Sequence, residues 1–328
     1  MSTYKGIKGF SIQTVAGNPD NPIAGQVWYN SSTKKIRAAG PTGWASGGNL
    51  NTSRQQGQGA GSQTAGLHIG GATRRTIVEH YDGSSWTEGP DLNAHNELGG
   101  SCGTQTAAMV MGGNAADQGT THLVTCEKYD GSSWTEVGDL NSGRWVAASC
   151  GAINSAALFV GGQNAPTPVQ DNVEEWDDSS WTEVGDLNTG RFAMTGCGTT
   201  TAGMVAGGNT NPPNDAIDEV EQYNGTSWTE IADVPDSSAS GMGSAGLGTQ
   251  TAGFWFGGST PGPGTAGFLW NGSAWSSTPA LSTGRPNLNT MCGTSTSAMV
   301  AGNDPAANIT EESVSYTHLR AHETRHDL

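Results

Sequence analysis

Charge is scarce in this sequence of 328 residues: Asp, Glu, Lys and Arg make up 13% of it, against roughly 25% in ordinary soluble domains. What charge there is falls mostly on one side. Residues 1–75 carry eight Lys and Arg against one acid, Asp20, whereas residues 76–314 carry four basic residues against 27 acids. A body so acidic repels a phosphate backbone, which argues against nucleic acid as a partner. No run of about 18 apolar residues occurs, so no membrane insertion is expected. The N-terminal MSTYKGIKGFSIQTVAG lacks the apolar core of a secretory signal, and synthesis in a cytoplasm is the expectation. Cysteines are few and odd in number, five, which fits reduced thiols better than a disulfide framework.

The sequence is rich in glycine and tryptophan, with 50 and 11 copies. Tryptophan at that level argues against disorder. Abundant Gly, Thr, Ser and Asn favours short strands and many turns over helices. An all-β chain is the first inference.

A repeat then sets the architecture. YDGSSWTEGPDLN begins at Tyr81, YDGSSWTEVGDLN at Tyr129, WDDSSWTEVGDLN at Trp176, YNGTSWTEIADVP at Tyr223 and WNGSAWSSTPALS at Trp270. Trp44, in GWASGGNLNTSR, opens an earlier copy. Between these units recur segments such as GTQTAAMVMGG and GTTTAGMVAGG, each ending in a glycine doublet. Asp-Gly and Asn-Gly mark tight hairpin turns. Each unit parses into four short antiparallel strands, which is one blade of a β-propeller. The pattern starts with a fourth strand at Trp44 and ends with three strands from Arg285 to about Ser313. Joining those ends closes a ring of six blades; seven is the alternative.

The Arg that opens the first strand, the glycine doublet, the third strand running from Val124 to Gly131 and the following Trp resemble the kelch repeat. That resemblance implies a kelch-type propeller over residues 41–314. GQVWYNSSTKKIRAAG, within residues 1–40, reads as a hairpin joined through Asn30-Ser31-Ser32-Thr33. With the GTQTA strands it resembles tail and virion proteins of marine bacteriophages. The resemblance implies a virion location and an N-terminal attachment segment, through which the chain could form a homo-oligomer. Residues 315–328 break from everything before them. They resemble the translated sequencing adapter that follows truncated genes in metagenomic reading frames.

That tail contains HETRH, the H-E-x-x-H spacing of zinc proteases, with His322 and His326 one helical turn apart. No third ligand follows and no helix of the fold carries it, so a protease is not inferred. Cys102, Cys150, Cys197 and Cys292 share one repeat position that Ala60 and Leu247 fill elsewhere, which reads as a small apolar slot and not a metal site. GMGSAG at 241–246 matches a dinucleotide fingerprint without its strand–turn–helix context. Asn224 and Asn271 match glycosylation sequons, yet their equivalents Asp82 and Asp130 point to turn chemistry. No cofactor and no metal is expected.

Arg54, Arg144, Arg191 and Arg285 recur at one position and should ring one mouth of the central channel, together with the variable loops between second and third strands. Those loops supply the further binding candidates Asp117, Asn164, Asp171, Asn211 and Asp215. The competing reading of the arginines is that each pairs with a nearby acid. The expected function is a non-enzymatic module binding a host-surface glycan or a neighbouring virion protein. Its alternatives are a purely structural decoration protein or a carbohydrate-active enzyme, oxidase-like or lyase-like. The enzyme reading lacks acids, bases or His–Tyr pairs converging at the axis.

Overall fold

The computed structural model describes residues 13–15, 27–32, 35–38, 43–72, 76–114, 122–164, 169–210, 216–235, 247–257, 264–285, 290–303 and 305–314. Its main body is six four-stranded antiparallel sheets, the blades of a β-propeller. Blade one comprises Gln58–Ser62, Ala65–Ile69, Val78–Tyr81 and Trp86–Glu88. Blade two comprises Gly100–Thr104, Ala107–Met111, Cys126–Tyr129 and Trp134–Val137. Blade three runs from Ala148–Ile153 to Trp181–Val184, blade four from Thr195–Thr199 to Trp228–Ile231, and blade five from Leu247–Thr249 to Trp275–Thr278. Blade six joins Thr290–Thr294, Ser297–Ala301 and Thr310–Val314 to Gly43–Ser46 from the other end of the chain.

Composition changes across each blade because the space available changes. Innermost strands such as TGCGT converge on the axis, and a side chain at Gly196 would meet the Ser149 carbonyl at 2.6 Å. Second strands such as AALFV lie between neighbouring blades and are buried on both faces. Outermost strands such as WTEV bury the Trp and expose the Thr and Glu. Six apolar clusters form, one at each blade interface. The cluster between blades two and three joins Cys102, Met109 and Met111 to Phe159, Trp176 and Trp181. Burial of each large side chain contributes about 1.5–3 kcal/mol.

Three recurring sets of hydrogen bonds join neighbouring blades. On the outside, Trp181 Nε1 donates to the Gly138 carbonyl, Trp228 to Gly185, Trp275 to Ala232 and Trp44 to Pro279. Each acceptor is the fourth residue after the preceding blade's Trp. At the turn between first and second strands, an amide side chain reaches the preceding blade: Gln105 donates to the Tyr81 carbonyl, Asn154 to Tyr129, Gln250 to Tyr223 and Gln63 to Ser313. At the entry to the innermost strands, Leu98 N donates to the Gln56 carbonyl, Val146 N to Leu98 and Ala193 N to Val146. These four residues have φ of 60°, 54°, 51° and 55°. Left-handed backbone is unfavourable for a residue such as Val, and here it aims each N–H at the blade before it.

A separate three-stranded sheet precedes the propeller in the sequence. The expected hairpin pairs Val27–Asn30 with Lys35–Ala38, antiparallel, and Gln13–Val15 adds a parallel strand that the sequence reading did not anticipate.

Candidate functional site

The four repeated arginines were the foremost binding candidates, and their geometry is uniform. Arg54, Arg144, Arg191 and Arg285 have side chains with 0% exposure. Each Nη2 meets a buried glutamate on the third strand of its own blade: Glu79 at 2.8 Å, Glu174 at 2.8 Å, Glu221 at 2.6 Å and Glu311 at 3.0 Å. Nη1 of Arg144 donates to the carbonyls of Gly161 and Asn172, and Nη1 of Arg54 donates to those of Gly70 and Ile77. The pairing with a nearby acid is therefore the arrangement found, and none of these four guanidinium groups is presented to the channel mouth.

In blades one, three and four the glutamate is clamped from its other side by the Asn three residues before the Arg. Asn141 donates to Glu174 Oε2 from its backbone N at 2.7 Å and from Nδ2 at 2.8 Å. Asn51 and Asn188 repeat both bonds on Glu79 and Glu221. Burial lowers the pKa of all four arginines, that of Arg54 to about 10, while the paired glutamates pull the other way.

The sequence reading missed the glutamates, although the signal was present. Val78-Glu79, Cys126-Glu127, Val173-Glu174 and Val220-Glu221 each stand two residues before the Tyr or Trp of a hairpin turn. A buried acid at fixed offset in a strand calls for a buried base.

The glycine doublet closes the same end. Both glycines of Gly112-Gly113 have positive φ, 58° and 98°, and a Cβ on Gly112 would meet the Arg144 carbonyl at 2.8 Å. Gly113 N donates to that carbonyl, as Gly162 N does to Arg191. The loops between second and third strands leave from this end. Asn164 is half-buried and donates to Ser142 Oγ at 3.2 Å, and Asp171 is exposed. Asp117, Asn211 and Asp215 lie outside the described residues, as does HETRH.

The axis holds a cavity of about 470 Å³. Its wall is small and uncharged, with Gly59, Ser101, Ser149 and Gly196 among its residues and Thr104 and Thr249 at the rim. Cys102, Cys197 and Cys292 also line it, but as buried thiols. Burial raises the pKa of Cys102, Cys150 and Cys292 to about 12, and that of Cys197 further. Such thiols are poor nucleophiles at neutral pH. Among the described residues, no three His, Cys, Asp or Glu side chains converge as a metal site would require. His68 Nδ1 lies 2.6 Å from Thr290 Oγ1, and burial, with Arg54 nearby, keeps the imidazole neutral.

Fold and site together define a six-bladed all-β propeller whose four repeated arginines are buried in blade-internal clamps. No family model matches the chain, and no curated protein matches it in sequence.

Proposed function

We propose that this chain is a non-enzymatic binding propeller of the kelch type, carried on a phage virion or tail. It engages a host-surface glycan or a neighbouring virion protein through the loops that leave the glycine-doublet end. One observation carries the reading: a constant support carries inconstant loops. The buried Arg–Glu pair of the clamp recurs in blades one, three, four and six, whereas the segments after the doublets read NAADQGTTHLVT, QNAPTPVQD and NTNPPNDAID. Variation concentrated on a rigid scaffold is the usual signature of recognition. Asn164 and Asp171 are the described members of this loop set, and residues 1–40 serve as the attachment segment.

The test is a glycan-array screen of the full chain, beside a variant carrying Asn164→Ala and Asp171→Ala and another in which residues 115–121 are replaced by Gly and Ser. Thermal melts confirm folding. Loss of a bound glycan in either variant, at unchanged melting temperature, supports the reading. Binding indifferent to both variants moves the ligand to the channel. A parent that captures neither a glycan nor a virion protein is a structural decoration protein.

A further inference from the structure

At the glycine-doublet end, blades two, three and four each continue beyond their strands into a short three-stranded bridge. In blade three Trp145 stands opposite Gln163, and Gln163 opposite Val169. Phe192 and Asn209 take the first two places in blade four, and Glu97, Asn114 and His122 take all three in blade two. Residues directly opposite one another in such a bridge share a face, so each blade presents one row of side chains. Val146 N donates to the Leu98 carbonyl and Ala193 N to the Val146 carbonyl, which joins the rows side by side. The His122 ring meets the Trp145 ring edge-on, with centroids 5.7 Å apart. This strip departs from the repeat. The residue after each repeated Arg is Gln55, Trp145, Phe192 or Pro286, and Glu97 takes that place in blade two. Of these five places, only the two in adjacent blades three and four hold an aromatic ring.

Trp145, Phe192, His122 and Gln163 are half-buried, so the strip is partly open to solvent. Asn114 is 7% exposed, and its Oδ1, like Nδ1 of His122, has no hydrogen-bond partner among the described residues. Buried polar atoms left in that state call for a partner that brings hydrogen bonds. We propose that this strip across blades two to four binds a neutral pyranose sugar, stacked by its C–H face on Trp145 and held at its hydroxyls by Asn114, His122 and Gln163. The proposal rests on the glycan reading above. Chemistry selects the ligand. A half-exposed indole offers a flat apolar face with a polar edge, and carboxamides both donate to and accept from hydroxyls. Burial lowers the pKa of His122, which favours the neutral imidazole. An acidic sugar would meet Glu97 in the same row, on a chain of formal charge -16. A protein partner calls for a wider exposed apolar patch. The one exposed large hydrophobic among the described residues, Ile153, lies at the opposite end of its blade.

The test is an array of neutral hexose-terminated, sialylated and sulfated oligosaccharides probed with the full chain, then calorimetric titration of the best neutral sugar. Trp145→Ala should weaken that sugar at least about tenfold, as loss of a central aromatic contact does. Trp145→Phe keeps a ring and should retain most of the affinity. Gln163→Ala should weaken binding severalfold at unchanged melting temperature. Should Trp145→Ala not fold, Gln163→Ala carries the test, and unchanged affinity there overturns the proposal. Residues 115–121 lie between Asn114 and His122, and Asn164 follows Gln163, so the loop variants described above disturb the strip as well. Binding lost in those variants but untouched by Trp145→Ala overturns the strip and leaves the loop reading standing. Equal losses in Trp145→Ala and Trp145→Phe overturn it, since stacking then plays no part, as does a preference for acidic glycans. A chain that binds no glycan overturns it too, and only capture of a virion protein then preserves the reading above.

Discussion

At the scale of single residues, the arginine–glutamate–asparagine clamp decides which substitutions the protein tolerates. Arg144→Ala leaves Glu174 buried without its cation and should destabilise the fold by about 3–5 kcal/mol. Replacing both partners at once, as in Arg144→Met with Glu174→Leu, should cost much less, because no charge is left stranded. Chemical denaturation of the parent and both variants checks this, and equal losses would refute the clamp. The hairpin turns give a pH-dependent counterpart. Asp82 and Asp130 each accept bonds from the backbone and hydroxyl of the two following serines. Their pKa falls from 3.8 to about 2, led for Asp82 by the Ser85 amide and for Asp130 by the Ser132 hydroxyl. A carboxylate depressed by folding stabilises the native state above its ordinary pKa, and that contribution disappears as pH falls through the folded value. Stability should therefore drop between about pH 4 and pH 2. Asn224 and Asn271 make the same backbone bonds without a charge. Asp82→Asn with Asp130→Asn should then flatten this part of the acid-denaturation curve.

At the scale of the blade, the departures from the pattern are informative. Blade five has neither member of the clamp: residues 237–284 contain no Arg, and Phe268 stands at the Glu position. Blade two has kept the acid and lost the base. Glu127 is buried and accepts from Asn93 and Ala94, while Asn96 occupies the arginine position. Asn96 Nδ2 donates to the Gly112 carbonyl, the equivalent of the carbonyl that Arg144 takes at Gly161. Asn96→Arg should complete the clamp and raise stability by about 1.5–3 kcal/mol, the range for hydrogen bonds to charged groups, visible as a higher melting temperature. The blades themselves were legible from the sequence because strand count, turns and Trp spacing are local and repeated. The clamp was not, because Arg144 and Glu174 are 30 residues apart and meet only once the strand register is fixed. The left-handed residues Gln56, Leu98, Val146 and Ala193 were equally hidden, since nothing in their side chains announces a positive φ.

At the scale of the whole ring, the out-of-phase repeat already implied that the last blade borrows a strand from the start of the chain, and the fold has that arrangement. The repeat also made the cysteine position legible as an apolar slot: the four thiols there, Cys102, Cys150, Cys197 and Cys292, are buried and unpaired with one another. Charge distribution was legible only in bulk. That the exposed acids of the outermost strands form an arc over blades one to four, absent from blades five and six, needed the strands to be placed around the axis.

The closing seam has a mechanical consequence. Gly47 N donates to the Thr310 carbonyl and Leu50 N to that of Asn308, so the two strands of the seam run antiparallel. Tension applied through the two ends of the chain would load their bonds one at a time, as a zip opens, and would not shear them together. The ring should thus yield to a pull at its own seam first, releasing one strand while five blades keep their full complement. A propeller tethered by one end only would never feel that weakness.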